Sequence, residues 1–292
     1  MKRIKDILSV LYLSAVMVAC NSDDENGVPA TNIINLSLQS NPGNIELAWD
    51  YECTEGENTN RYVEIRYYDP AKKKEVRKTV SAFTNSYTVE ETRKKYGEYK
   101  FTLQPFSTTF SPGTIQEISG VSEAGKIIDT YTSKELTMQP EDIYIEGLHP
   151  TGGGTPANLI DKNPETFINT DYTKPLGTIF YIDITYPKAQ KYLKFSYTNR
   201  NHEAASFPAE VKCYCKVNEK DDWTLVKTLK QAEDNLPTGA GVSYTSKEYE
   251  CPFEFNYFRF EVLKTHTGKV NFSLAEFAIY EVERFYYDPE AE

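Results

Sequence analysis

Asp161, Asn163 and Thr166 lie in one turn-rich stretch, Asp161-Lys162-Asn163-Pro164-Glu165-Thr166. A carboxylate, an amide or main-chain carbonyl and a hydroxyl at that spacing can converge on one point, the all-oxygen surrounding taken by a hard cation such as calcium. The competing reading is an Asx turn, in which Asp161 accepts hydrogen bonds from the amides that follow it and holds no ion. Arg200, between Asn199 and Asn201 in a polar loop, is the second group of interest. A guanidinium has little purpose in a core, and it presents five donors in a fixed fork. Cys213 and Cys215 are two apart, so strand alternation puts both thiols on one apolar face. They read as core packing, with a disulfide from one of them to Cys251 as the alternative. His202 and His266 read as solvated loop residues, and no cysteine spacing supplies the ligand set of a zinc site. Gly-x-Ser-x-Gly, His-Glu-x-x-His and phosphate-loop motifs are absent, and Gly152-Gly153-Gly154 reads as a flexible turn. The many carboxylates fall in no pattern that would set two of them across a cleft, so no catalytic residue is expected.

The elements that must position these groups are strands. Ile34, Leu36 and Leu38 alternate, as do Ile45, Leu47 and Trp49, then Tyr62 to Tyr68, Tyr87 and Val89, and Tyr99, Phe101 and Leu103, with Pro, Gly, Asn and Asp at the turns between. Glu90 to Lys95 reads as one helical turn, and Lys72-Lys73-Lys74 as a solvated hairpin tip. Further strands follow around Tyr181-Ile184, Leu193-Asn199, Val211-Val217, Trp223-Val226, Tyr257-Val262 and Ser273-Phe277. The length exceeds one ordinary all-β unit, which predicts two domains. With 22 Tyr and 15 Phe against 3 His, the composition favours strands and contact surfaces over imidazole chemistry. Lys+Arg 32 against Asp+Glu 43 gives a net charge of −11, which repels nucleic acid and anionic lipid alike.

Lys2, Arg3 and Lys5 precede a short apolar run, Ile7 to Ala19, that ends at Cys20 and is followed by Asn21-Ser22-Asp23-Asp24-Glu25. The run is too short to span a bilayer, and it resembles a bacterial lipoprotein signal, with Cys20 as the lipidated residue. The acidic residues after it resemble the tag that directs lipoproteins of some Gram-negative bacteria to the outer surface. The resemblance implies an outer-membrane, lipid-anchored protein facing the cell exterior, with membrane contact through the anchor alone. The first strands, with Trp49 and Gly97-Glu98-Tyr99-Lys100-Phe101-Thr102-Leu103, resemble a fibronectin type III domain.

Asn158-Leu159-Ile160-Asp161-Lys162-Asn163-Pro164-Glu165-Thr166-Phe167, then Leu193 to Arg200, Phe207-Pro208-Ala209-Glu210-Val211, Tyr257 to Val262 and Ser273-Leu274-Ala275-Glu276-Phe277 occur in an order that resembles the discoidin domain and, within it, the family 32 carbohydrate-binding modules. The expected architecture is all-β: signal 1–19, flexible tether 20–32, fibronectin type III-like sandwich 33–126, linker 127–137, discoidin-type jelly-roll sandwich 138–283 and a tail 284–292. The resemblance implies a structural calcium held by Asp161, Asn163, Thr166 and Glu276, with backbone oxygens of Asn158 and Ala275. It also implies a sugar site formed by Asn169, Tyr172, Arg200 and Phe272. Asn169 stands where the family has His and Ala205 where it has Asn, so replacement hydrogen bonds are expected from Asn201 or His202. Phe272 has a second reading as a plug under the last loop, and Tyr172 as a cap on the sandwich end. The function implied is non-catalytic capture of polysaccharide or oligosaccharide, beside outer-membrane glycan importer components. The alternatives are an adhesion or assembly protein whose discoidin domain binds a protein and, after it, an accessory part of a glycoside hydrolase system with undetected activity.

Overall fold

The computed structural model describes residues 27–54 and 56–291, which divide into two compact units, 27–127 with 288–291 and 128–287. The export segment and Cys20 lie outside the described residues. Of the described residues 55% are strand and 5% helix, which fixes the class as all-β, built of sandwiched sheets.

The first unit holds β1 (Ile33–Asn41), β2 (Asn44–Tyr51), β3 (Asn60–Asp69), β4 (Lys74–Ser81), β5 (Ser86–Glu90), β6 (Glu98–Ser107) and β7 (Gln116–Val121). They make two antiparallel sheets, β1-β2-β5 and β4-β3-β6-β7. Alternation turns Ile45, Leu47 and Trp49 of β2, Val63 and Ile65 of β3 and Tyr99, Phe101 and Leu103 of β6 into one core. Each such side chain stabilises the unit by roughly 1.5–3 kcal/mol when fully buried. The alternation predicted from Ile34 starts one residue off: Ile33 is buried and Ile34 exposed. A register shift between Ile34 and Ser37, with Asn35 at φ 52°, resets the face. The helical turn expected over Glu90–Lys95 is a short 3-10 turn at Lys94–Tyr96.

Residues 28–32, expected in the flexible tether, are instead hydrogen-bonded to this unit. Thr31 Oγ1 lies 2.9 Å from Thr59 Oγ1, the Asn60 side-chain amide donates to the Thr31 carbonyl at 2.8 Å, and the Thr59 hydroxyl donates to Pro29 O at 2.7 Å. Short polar side chains supply the pairing that apolar packing would otherwise provide. Residues 288–291 also belong here. Glu290 Oε1 accepts the amides of Gly125 and Lys94 at 2.8 and 3.2 Å, and Oε2 that of Lys95 at 2.9 Å. Burial works against its charged form, but these donors hold the carboxyl below its ordinary range.

The second unit holds β8 (Ile128–Glu135), β9 (Ile143–Ile145), β10 (Ile168–Asn169), β11 (Phe180–Leu193), β12 (Phe195–Asn199), β13 (Pro208–Lys216), β14 (Thr224–Lys230), β15 (Ser243–Thr245), β16 (Tyr249–Thr265) and β17 (Ser273–Tyr287). One sheet runs β14-β13-β16-β11-β9 and the other β10-β17-β12-β15, with β8 also on β17. The core between them is aromatic: Phe195 stacks on Phe277 with centroids 5.7 Å apart and meets Phe258 and Phe260 at 5.2 and 5.6 Å. Cys213, Cys215 and Cys251 are buried there as thiols, Cys215 and Cys251 with sulfurs 3.7 Å apart. Burial pushes the Cys213 and Cys215 thiols far up.

Two boundaries expected from sequence are corrected. The stretch expected as linker 127–137 contains β8, and the tail expected from 284 is β17 as far as Tyr287. Both are largely exposed, Ile128, Tyr131, Phe285 and Tyr286 included, so neither shows a buried face alternating with a polar one, yet they pair continuously from Glu135↔Tyr280 to Ile128↔Tyr287. The pairing is stitched by Arg284, whose Nε and Nη2 donate to the two Asp129 carboxylate oxygens at 2.7 and 2.9 Å.

Candidate functional site

The sandwich positions a set of loops at one place. The two residues of β10 pair with Leu274 and Ser273, and the loop before it folds back so that the His149 amide donates to Asn169 O at 3.0 Å and the Asn169 amide to Gly153 O at 2.9 Å. Within the triglycine expected as a flexible turn, Gly153 and Gly154 are instead tightly packed. Gly154 has φ 72°, and a Cβ there would sit 2.1 Å from Phe167 O. Only glycine allows this approach.

Tyr172, on the loop after β10, is 58% exposed. One ring face stacks on His149, with centroids 4.3 Å apart and planes within 12°. Asn169 Oδ1 accepts from Asn271 Nδ2 at 3.1 Å, which leaves the Asn169 side-chain donors and the Asn271 side-chain carbonyl to other partners. Arg200 follows β12; its main-chain amide donates to Ser273 O, and its guanidinium lies flat on Phe167, 3.4 Å from the ring centroid. His202 Nδ1 accepts the Ala204 amide at 3.2 Å and so folds that loop. His266, expected in solvent, stacks on Phe207 at 5.0 Å and accepts the Phe207 amide at 3.1 Å, fixing the loop that leads to Lys269.

These loops enclose an open cleft of about 500 Å³. Asn169, Tyr172, Arg200, His202 and Ala205 line it, together with Lys174, Leu176, Ala204, Lys269, Val270 and Asn271, none of which the sequence reading singled out. Exposed lysines and a leucine in loops carry no periodic signal, and only their shared cleft marks them. Asn201 is not part of the lining; its amide donates to Glu165 Oε1 at 3.3 Å.

Phe272 is a correction. It is fully buried in the core of the second unit and is not a cleft residue. Its amide donates to Thr170 Oγ1 at 2.9 Å and its carbonyl accepts the Thr170 amide at 3.0 Å, which ties the residue into the sheet edge and turns the ring inward. The preceding residues 269–271 form the cleft wall in its place.

In the Asp161 loop the Asx-turn pattern is present: the carboxylate accepts the Asn163 amide at 2.9 Å and the Thr166 hydroxyl at 2.9 and 2.8 Å. The Asn163 side chain accepts the Glu165 amide, and that of Asn158 caps the Thr155 amide and hydroxyl. Ala275 is a buried residue of β17. Beside the loop, Glu276 Oε1 is buried without a hydrogen-bond partner. Its carboxyl is pushed up by burial first and then by the Asp161 charge. Two carboxylates near enough to feel each other's charge, one with a buried unpaired oxygen, fit a divalent cation with oxygen ligands, and backbone oxygens of the loop would complete its shell. No group of three or more His, Cys, Asp and Glu side chains gathers among the described residues. Main-chain, amide and hydroxyl oxygens would therefore supply most of the ligands.

No protein-family model matches the chain, and no curated protein does. Solved structures similar to part of it include the family 32 carbohydrate-binding module of Clostridium perfringens NanJ in complex with galactose. That module is 16% identical, covers 51% of this chain and 100% of its own, and has a TM-score of 0.40. A family 32 module of Clostridium perfringens GH89, in complex with GalNAc-β-1,3-galactose, is 16% identical over 47% of this chain and 92% of its own, with a TM-score of 0.38. The C-terminal domain of a chitobiase from Bacteroides fragilis is 13% identical over 53% of this chain and 100% of its own, with a TM-score of 0.40.

Proposed function

We propose that the second unit binds glycans at the loop-end cleft without turning them over, as part of a surface protein anchored through Cys20. The observation that carries this reading is the Tyr172 ring, backed on one side by His149 and open on the other, with the amides of Asn169 and Asn271 and the Arg200 fork around the same cleft. A pyranose is held by an aromatic face against its C–H surface and by planar polar groups on neighbouring hydroxyls. Among the described residues no carboxylate lines the cleft, which supports binding over the acid and base or nucleophile pair of a glycosidase.

An open cup that holds few hydroxyls binds at about 1 mM, roughly −4 kcal/mol. Many anchored copies on one polymer would raise retention through effective concentration. Affinity electrophoresis through gels containing polysaccharides tests the reading. Retardation in at least one gel, lost in Tyr172→Ala, is the expected result, and equal mobility of the two proteins in every gel would overturn it. The anchor is tested separately. Among the described residues no helix is long and apolar enough to cross a membrane, and Cys20→Ala should move the protein from the membrane to the soluble fraction. The cation proposed for the Asp161 loop and Glu276 is calcium, with a structural role next to the cleft-forming strands.

A further inference from the structure

The three arginines of the second unit differ in one respect. Arg259 donates to both oxygens of Asp183 at 2.7 Å, and Arg284 to both oxygens of Asp129. Arg200 is half-buried against Phe167, yet its guanidinium makes no hydrogen bond or ion pair with any described residue. Burial lowers its pKa. The Phe167 ring compensates one face of the cation, but N–H donors partly withdrawn from water without an acceptor are costly, so the missing acceptor is informative.

The surroundings point the same way. Lys269 Nζ has no ion pair among the described residues, and Lys174 reaches only Asp171, at 3.9 Å. On a chain of net charge −11, this cleft is lined by Arg200, Lys174 and Lys269, and by no carboxylate. With its face covered by Phe167, the guanidinium keeps its edge for a ligand, and a planar carboxylate matches that edge with two parallel hydrogen bonds.

We infer that the cleft is selective for acidic glycans, with a uronic acid carboxylate paired to Arg200 and the charge of neighbouring residues met by Lys269 and Lys174. This rests on the glycan-binding reading of the same cleft. It names the substrate class by charge, and sulfate esters are the other source of anionic groups on a polysaccharide.

The experiment is affinity electrophoresis of the purified protein in gels containing polygalacturonate, the same polymer after carboxyl reduction, neutral galactan, or dextran sulfate. Retardation by polygalacturonate that is abolished by carboxyl reduction is the expected result. Arg200→Ala and Lys269→Glu should each weaken it about tenfold or more, as expected for loss of a charge-assisted pair. Lys269 is exposed, so its variant tests the idea even if Arg200→Ala melts early. Arg200→Lys should recover only part of the binding, because it keeps the charge and loses the fork. Equal retardation by the native and carboxyl-reduced polymers, or retardation by galactan alone, overturns the inference and leaves glycan binding intact. Retardation by dextran sulfate alone moves the anion to sulfate esters and overturns the uronate assignment. No retardation in any gel overturns both.

Discussion

Tyr172 and Phe272 are both aromatic residues of the same loop end, yet burial gives them opposite roles. Phe272 fills the core and Tyr172 faces the cleft. Phe272→Ala should therefore cost about 3–5 kcal/mol of stability in denaturant titrations. Tyr172→Ala should leave the unfolding midpoint nearly unchanged while abolishing retardation in polysaccharide gels. Equal loss of stability in both variants would mean that Tyr172 is a cap on the sandwich end. The unpaired Glu276 oxygen leads to a further expectation: calcium at ten times its dissociation constant should stabilise the second unit by about 1.4 kcal/mol. Asp161→Ala should remove that response, read as the melting shift on adding and chelating calcium. An unchanged response would leave the Asx turn as the only role of Asp161. The residue types of the cleft were only partly legible in the sequence. Tyr172, Arg200, Asn169 and His202 stand out beside the Asp161 motif, whereas Lys269 and Asn271 do not, because an exposed lysine and an asparagine before a strand look the same in any loop. Phe272 takes the plug role that the sequence left open beside the sugar site, for a related reason: which way a residue just before a strand points depends on where the strand pairing starts, and here Thr170 extends that pairing to residue 272.

At the level of elements, strands with an apolar face announced themselves by alternation, and β13 is the plainest case, with Val211, Cys213 and Cys215 inward and Lys212, Tyr214 and Lys216 on the other face. The ribbon of β8 and β17 did not. Neither of its strands is patterned there, and its order comes from main-chain pairing and the Arg284 fork, which no hydrophobic rule detects. The central pair β11 and β16 carries its own polar fastening on the face away from the core. Asp183 and Arg259 are register partners, and the guanidinium lies over Tyr181 at 3.6 Å and Trp223 at 4.6 Å. Arg259→Lys keeps the charge but loses the bidentate pair and the flat stack. It should destabilise the second unit by about 1–2 kcal/mol, measured by denaturant unfolding followed through Trp223 fluorescence. A midpoint equal to that of the unmodified protein would show the pair to be no stronger than an ordinary exposed one.

For the whole molecule, the order of units along the chain has a genetic reading. Ile128 and Tyr287 are register partners, so the second unit begins and ends on the same rung of one antiparallel ladder, with Cα atoms about 5 Å apart. The residues after Tyr287 then return to the first unit, where Glu290 gathers three amides. The second unit thus has the form of an insertion within the first, a cassette whose two ends need only a tight turn's separation. A gene in which codons 128–287 are replaced by those for an Asn-Gly turn should still encode a folded first unit, with Gly125 and Glu290 in contact. The excised stretch should fold as a separate polypeptide and retain the cleft. Cooperative melting of both products, with polysaccharide retardation only in the excised one, is the expected outcome, and a molten shortened chain would show that the insertion has become indispensable to its host. Such a join lets one inserted unit be exchanged for another while the chain leaves and re-enters the host unit at the same rung.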